Sequence, residues 1–184
     1  KNVILTPMCR TAIFVTLKTV ITPNSRNVIV SPYTIADVVN MVICAGGIPI
    51  FCDVDNHGNL SKESLEILIN ADTAAVMVTH LHGICADINS INAICNSYDV
   101  PLFEDVAQAF GAKVGIRRLG SIGEAGFLSF GTFKILSCWY GGAVVTNNDI
   151  LANNIRNTVS SYPKIKTFFF VFHPKLSSRY NWHT

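Results

Sequence analysis

Short apolar runs alternate along the chain with stretches in which apolar residues recur at helical spacing. The apolar runs, many of them β-branched, predict strands over residues 27–30, 49–54, 74–79, 101–104, 126–130 and 143–146. Helices are predicted over 9–21, from 35 to the glycines at 46 and 47, after Ser61, after Asp87, and from Asp149 to about Val159. Ser61, Asp87 and Asp149 are predicted to cap these last three helices, because their side-chain oxygens can accept a backbone N–H bond.

The regular alternation of strand and helix, with short connections, indicates the fold class. It favours a three-layer α/β/α arrangement, in which helices cover both faces of a mainly parallel sheet. Ligands of such sheets bind at the carboxyl ends of the strands. We therefore expect residues that lie directly after strands to carry the chemistry.

The composition narrows the range of protein classes to which the chain could belong. The chain has 184 residues, of which 49% are hydrophobic and 14% charged, as expected for one globular domain. Its 14 basic and 12 acidic residues form no basic run, so we expect neither nucleic acid nor an anionic membrane as a partner. The six cysteines are scattered, which favours free thiols in a reducing cytoplasm. No apolar stretch is long and unbroken enough for a transmembrane helix.

The two ends of the chain suggest that it is a fragment of something longer. It starts at Lys1 rather than Met, and the first apolar residues reach Pro7 too soon for a signal peptide. Residues 1–159 are predicted to form the ligand-binding domain. Residues 160–184 lose the alternating pattern and are predicted to begin a second part, with the aromatic run 168–172 in an interface.

Polar residues that could carry chemistry follow two of the predicted strands. Asp105 lies just past strand 101–104, where it could face a ligand or serve as an ordinary helix cap. Lys134 follows strand 126–130 in a loop of small residues. A desolvated lysine there could form a Schiff base, although a single lysine is more often a solvated surface residue. Gly141 and Gly142 precede the next strand and allow either a close backbone approach or a plain turn.

Several motifs occur together in a characteristic order. Residues 104–112 read Glu-Asp-Val-Ala-Gln-Ala-Phe-Gly-Ala, 120–124 read Gly-Ser-Ile-Gly-Glu, and Ser129 precedes Lys134 by five residues. Further motifs are Cys-Arg-Thr-Ala-Ile at 9–13, Ser-Pro-Tyr-Thr at 31–34, Gly-Gly-Ile-Pro-Ile-Phe-Cys-Asp-Val-Asp at 46–55 and Val-Thr-His-Leu-His-Gly at 78–83. Over about residues 6–158 the chain resembles the DegT/StrS-type sugar aminotransferases, which are pyridoxal-phosphate (PLP) enzymes of fold type I.

This resemblance implies a role for each matching residue. Lys134 would form the Schiff base with PLP and then move the proton between substrate and cofactor. Asp105 would pair with the protonated pyridine nitrogen and keep the ring electron-withdrawing. Gln108 would hydrogen-bond the phenolic oxygen of the cofactor.

The cofactor phosphate would be bound by a second group of residues. Ser129 matches a phosphate ligand of the family, and Arg10 and Thr11 match its phosphate-binding turn. Backbone N–H groups at the start of a helix favour an anion there.

The resemblance also implies a reaction and partners. The family transfers an amino group, usually from glutamate or glutamine, to a nucleotide-linked keto sugar for polysaccharide or amino-sugar biosynthesis, and its members are normally homodimers. A PLP-dependent dehydratase or lyase on the same scaffold and a truncated, inactive remnant are the alternatives. Some relatives in the family carry histidine at the lysine position and perform dehydration instead, so Lys134 favours transamination.

Two positions depart from the family pattern. Ile35 stands where the family has an aromatic residue stacked on the cofactor ring. Trp139 and Tyr140 stand where Gly-Glu is usual. His80 and His82 could face the same side of a strand as a metal pair, but no third ligand is evident and we expect no metal.

Overall fold

The structure is a computed structural model that describes residues 1–162. The predicted second part and the aromatic run 168–172 fall mainly or wholly outside the described residues, so their roles stay predictions. The division of the chain at residue 159 also stays a prediction.

A seven-stranded sheet forms the middle layer, with the strand order β1-β9-β8-β5-β4-β2-β3. All pairs from β3 through β2, β4 and β5 to β8 are parallel, whereas β9 runs antiparallel to both β8 and β1. A short antiparallel hairpin, β6–β7, lies outside this sheet. The strands are β1 (Asn2–Thr6), β2 (Asn27–Val30), β3 (Ile48–Phe51), β4 (Thr73–Thr79), β5 (Leu102–Asp105), β6 (Lys113–Val114), β7 (Arg117–Arg118), β8 (Ala125–Ser129) and β9 (Gly142–Thr146).

Helices cover both faces of the sheet. One apolar cluster joins α1, α2 and α5 to one face, and a second joins α3 and α4 to the other. This arrangement confirms the predicted three-layer α/β/α fold with a mainly parallel sheet. The helices are α1 (Cys9–Val20), α2 (Ala36–Ala45), α3 (Lys62–Leu68), α4 (Ile88–Ser97) and α5 (Asp149–Ser161). Within residues 1–162, no helix is both long enough and apolar enough to cross a bilayer.

Some elements differ from the prediction. Strand β1 was not predicted; it pairs with β9, whose residues lie more than a hundred positions away in sequence. The hairpin β6–β7 is too short to show an alternating pattern. Asn148, not Asp149, caps α5, because the Asn148 side chain accepts the hydrogen bond from the Leu151 backbone N–H. Asp149 instead occupies the first turn, where a negative charge is favourable.

The directions of the strands bring several chain segments to one edge of the sheet. The carboxyl ends of β5 and β8 meet there because these strands are parallel. Strand β9 begins at the same edge, with Gly142 paired to Thr6 at the end of β1. A Cβ atom on Gly142 would lie 2.4 Å from the Cys9 backbone nitrogen, so only glycine lets the start of α1 come this close.

Candidate active site

A cavity of about 270 Å³, the small cavity, opens at this edge of the sheet. Four of the predicted site residues line it together: Arg10, Asp105, Ser129 and Lys134. Asp105 ends β5, Ser129 ends β8, and Arg10 lies in the first turn of α1. Residues more than a hundred positions apart in sequence therefore face one space, as expected for the carboxyl edge of a parallel sheet.

Asp105 forms the buried floor of the small cavity. Its side chain is 5% exposed, and its Oδ1 accepts a hydrogen bond from the Ala107 backbone N–H at 2.9 Å. The chain continues as turns rather than a helix, so Asp105 is not a helix cap. Burial raises the pKa of this carboxyl group, and the positive charge of Lys134 opposes part of that rise. A cation in the cavity would therefore find a largely desolvated carboxylate as its partner.

Lys134 lies in the loop 131–140 between β8 and β9, called here the Lys134 loop. The loop is closed at its base, where Phe130 accepts a hydrogen bond from the Cys138 N–H and donates one to the Gly141 carbonyl oxygen. The Lys134 side chain is half-buried and reaches the small cavity. Its ammonium lies close enough to Cys9 and Asp105 to favour their charged forms.

Arg10 lies at the mouth of the small cavity and is already paired. Its Nη1 donates a hydrogen bond to Asp37 Oδ2 at 2.6 Å, and both residues are exposed. Met8, the residue before α1, makes no side-chain cap to this helix, and the first turn of the helix carries no acidic residue. The start of α1 thus keeps the partial positive charge that suits an anion.

Thr11 and Gln108 do not line the small cavity in this structure. Thr11 is half-buried in the first turn of α1, beside Arg10. Gln108 lies in the turns after β5, where its Oε1 accepts a hydrogen bond from the His82 backbone N–H at 2.9 Å. The roles that the family resemblance implies for these two residues stay predictions.

A buried pair next to Asp105, formed by Glu104 and His80, was missed by the sequence reasoning. Glu104 accepts hydrogen bonds from the backbone N–H groups of Gly120, Ile122 and Gly123 at 2.7–2.8 Å, and its Oε2 lies 3.2 Å from His80 Nε2. Burial raises the pKa of Glu104, but these hydrogen bonds outweigh burial, and its pKa lies below the usual range. The signal available in the sequence was a glutamate inside an otherwise apolar strand.

The pairing with Glu104 gives His80, which the sequence offered as half of a metal pair, a structural role. The Ala86 backbone N–H donates to His80 Nδ1 at 3.3 Å, so the ring proton lies on Nε2 and points to Glu104. Among residues 1–162, no group of three or more His, Cys, Asp or Glu side chains is placed to hold a metal ion.

A larger cavity of about 760 Å³ lies beside the hairpin β6–β7. None of the predicted site residues lines it. Its ionisable lining residues, Lys1, Arg117 and Arg118, are all exposed, and its floor is largely apolar. The small cavity, which has a buried carboxylate and a lysine, is therefore the candidate active site.

A model of the DegT/DnrJ/EryC1/StrS aminotransferase family matches residues 1–168. The chain belongs to this family. The resemblance read from the motifs is thereby confirmed, and the motif residues Asp105, Ser129 and Lys134 are the ones that the fold gathers at the small cavity.

Relatives of known name are considerably longer than this chain. The UDP-2-acetamido-2-deoxy-3-oxo-D-glucuronate aminotransferase of Pseudomonas aeruginosa is 37% identical over 131 residues, 70% of this chain and 36% of the relative. The GDP-perosamine synthase of Vibrio cholerae is 34% identical over 125 residues, 67% of this chain and 34% of the relative. The chain thus spans about a third of the length of these relatives.

A solved structure agrees with the sequence comparison. A DegT DnrJ EryC1 StrS aminotransferase from Brucella abortus superposes with a TM-score of 0.80 at 32% identity, covering 85% of this chain and 44% of the other. The fold seen here is therefore the family fold over most of the chain.

Proposed function

We propose that the chain is the cofactor-binding part of a PLP-dependent sugar aminotransferase. The full-length enzyme would move an amino group from glutamate or glutamine to a nucleotide-linked keto sugar, for polysaccharide or amino-sugar biosynthesis. The observation that carries this proposal is the meeting of Lys134 and the buried Asp105 at one cavity of a family fold. The two named relatives support the substrate class, since one acts on a UDP-linked oxo sugar and the other makes a GDP-linked sugar.

The residues of the small cavity fit PLP. A buried carboxylate with a raised pKa suits a protonated ring nitrogen, because a positive charge restores the ionised form that burial disfavours. Ser129, Arg10 and the uncapped start of α1 offer donors to a phosphate group. At about 270 Å³ the cavity lies near the lower end of the range for ligand pockets, about 300 Å³, which suits a small cofactor rather than a whole nucleotide sugar.

Each residue then has a defined task. PLP, when bound, supplies the electron sink for chemistry at an amino-bearing carbon. Lys134 would hold the cofactor through its amine and, once released by an incoming amine, would carry a proton at Nζ. Asp105 would orient the ring and maintain its charge through one carboxylate oxygen. Arg10, Thr11 and Ser129 would bind the phosphate, and Gln108 would approach the phenolic oxygen after a change of its hydrogen bond to His82.

The full-length protein is proposed to form a homodimer. Supporting this, Phe133, Ile135 and Leu136 on the Lys134 loop are 99%, 71% and 45% exposed. Exposed apolar residues beside a site commonly pack against a partner. Cytoplasmic location and the absence of nucleic-acid or membrane partners stay predictions.

An absorption experiment tests the cofactor and the lysine. Purified chain mixed with PLP should show the visible band of lysine-bound cofactor, and Lys134→Ala should abolish it. Lys113→Ala, which changes an exposed lysine on β6, is the matched control and should keep the band. Adding glutamate to the loaded protein should bleach the band and release the corresponding keto acid, an outcome that a lyase would not give.

A well-folded wild-type chain without the band would overturn the proposal that this chain itself holds PLP. A band that survives in Lys134→Ala would assign the covalent bond to a different lysine.

A further inference from the structure

Two bulky aromatic residues stand at the rim of the small cavity. Trp139 and Tyr140 line it, and they are 76% and 72% exposed. No other aromatic residue lines this cavity within residues 1–162. Such a large apolar surface, left open to water beside a candidate site, is available for contact with a ligand.

The backbone of Trp139 is held in a conformation that favours glycine. Its φ is 69°, in the left-handed region, where a bulky residue is an outlier. The Lys134 loop holds it there, because Thr132 Oγ1 donates to the Trp139 carbonyl oxygen and the Trp139 N–H donates to Ser137 Oγ, both at 3.4 Å. Strained residues of this kind concentrate at functional sites when their surroundings enforce them.

The other apolar walls of the cavity are aliphatic. Ile35 and Val38 lie at the start of α2, and Ala107 follows Asp105. An aliphatic side chain can make dispersion contacts with a flat ligand ring. It has no aromatic face, however, on which that ring could stack.

We propose that the Trp139–Tyr140 pair provides the aromatic contact surface for the ring of the ligand held by Lys134 and Asp105. The ligand is the PLP ring, so the inference rests on the proposed function. Trp139 makes the principal contact and Tyr140 extends the surface, which compensates for the aliphatic Ile35 on the α2 side.

Tryptophan fluorescence reports whether the Trp139 ring lies near the bound cofactor. The chain has two tryptophans, so Trp182→Phe leaves Trp139 as the single emitter. Titrating PLP into this variant should quench most of the Trp139 emission in parallel with the visible band. Both signals are recorded on the same 184-residue chain, without any measurement of activity.

Affinity measurements on loop variants separate the contribution of the Trp139 ring to PLP binding from that of its backbone conformation. Trp139→Asn tolerates a positive φ but removes the ring, and it should weaken PLP binding by about 3- to 10-fold, the range for loss of one aromatic contact. Trp139→Phe should keep most of the affinity. Cys138→Ala is the matched control, because Cys138 is exposed on the same loop and does not line the cavity.

The outcomes separate failure of this inference from failure of the proposed function. A visible band with little quenching, and equal affinities for wild type and Trp139→Asn, would overturn the aromatic contact and leave the proposed function standing. An equal loss in Cys138→Ala would also overturn it, since the loop as a whole would then be responsible. A folded wild-type chain without the band would show that the chain does not bind PLP, and it would overturn both proposals together.

Discussion

The floor of the small cavity lies at the end of β5, whereas its rim is the Lys134 loop between β8 and β9. The floor is Asp105, which is 5% exposed, and next to it lies the fully buried pair Glu104–His80, which does not line the cavity. The rim carries Trp139 and Tyr140, both more than two-thirds exposed. Buried charges require fixed partners, so the floor admits few alternatives, while the rim is free to carry residues particular to this chain. The floor follows the family motif and the rim departs from it.

The largest effect is expected from disrupting the buried pair next to the floor, at Glu104. Glu104→Gln would leave an amide NH₂ facing backbone N–H donors, and we expect a loss of about 2–4 kcal/mol in the free energy of unfolding. Urea denaturation would measure the loss. Glu66→Gln on the exposed side of α3 is the control and should change stability little.

The effect of Glu104 should also depend on pH. Because its folded-state pKa is lowered, its stabilisation is fully present above the unfolded-state pKa and is lost as pH falls through the folded value. The difference between wild type and Glu104→Gln should therefore be constant near neutrality and shrink in acid. A difference that grows on acidification would contradict the assigned direction.

Asp105→Asn, at the cavity floor, should have opposite effects on the stability of the fold and on the affinity for PLP. Burial raises the pKa of Asp105, so the ionised carboxylate opposes folding as pH rises above its unfolded-state pKa. The variant should be more stable than wild type at neutral pH without cofactor, and the difference should vanish in acid. Its affinity for PLP should fall about tenfold, because a neutral amide replaces a charge-assisted hydrogen bond.

Denaturation with and without PLP would measure both effects of Asp105→Asn, with the exposed Asp72→Asn as control. An unchanged affinity would show that Asp105 does not contact the cofactor ring.

At the rim, relieving the backbone strain at position 139 should raise the free energy of unfolding by a smaller amount. Trp139→Gly should be more stable than Trp139→Ala by about 1 kcal/mol, since both lack the ring and only glycine adopts a φ of 69° without strain. Thermal unfolding of the two variants without cofactor would measure this difference. Equal stabilities would mean that the loop relaxes out of the left-handed conformation.

The smallest effect is expected for the exposed pair Arg10–Asp37. Asp37→Asn should change the free energy of unfolding by less than about 1 kcal/mol, and the change should shrink further in high salt. Urea denaturation at low and high salt would measure this. A loss like that of Glu104→Gln would mean that this pair holds the fold together rather than only orienting Arg10.

Much of the fold could be predicted from local patterns. Strands β4 and β8 are short apolar runs, and helix α4 buries Ile88, Ile91 and Cys95 at helical spacing, so their positions follow from the sequence. Strand β1 could not be predicted in this way, because its place depends on pairing with β9 at the far end of the domain. The same applies to Glu104, whose three backbone partners come from the turn at 120–123.

The sequence by itself determined the family, the three-layer fold and the residues that belong to the motifs. Local periodicity and short motif spacing are properties of neighbouring residues, so they can be read without coordinates. Only the tertiary structure decided which motif residues share one cavity, that Arg10 is paired with Asp37, and that Trp139 stands at the rim in a left-handed conformation. Those features arise from contacts between segments far apart in sequence, and burial and strain are defined only once those segments have packed.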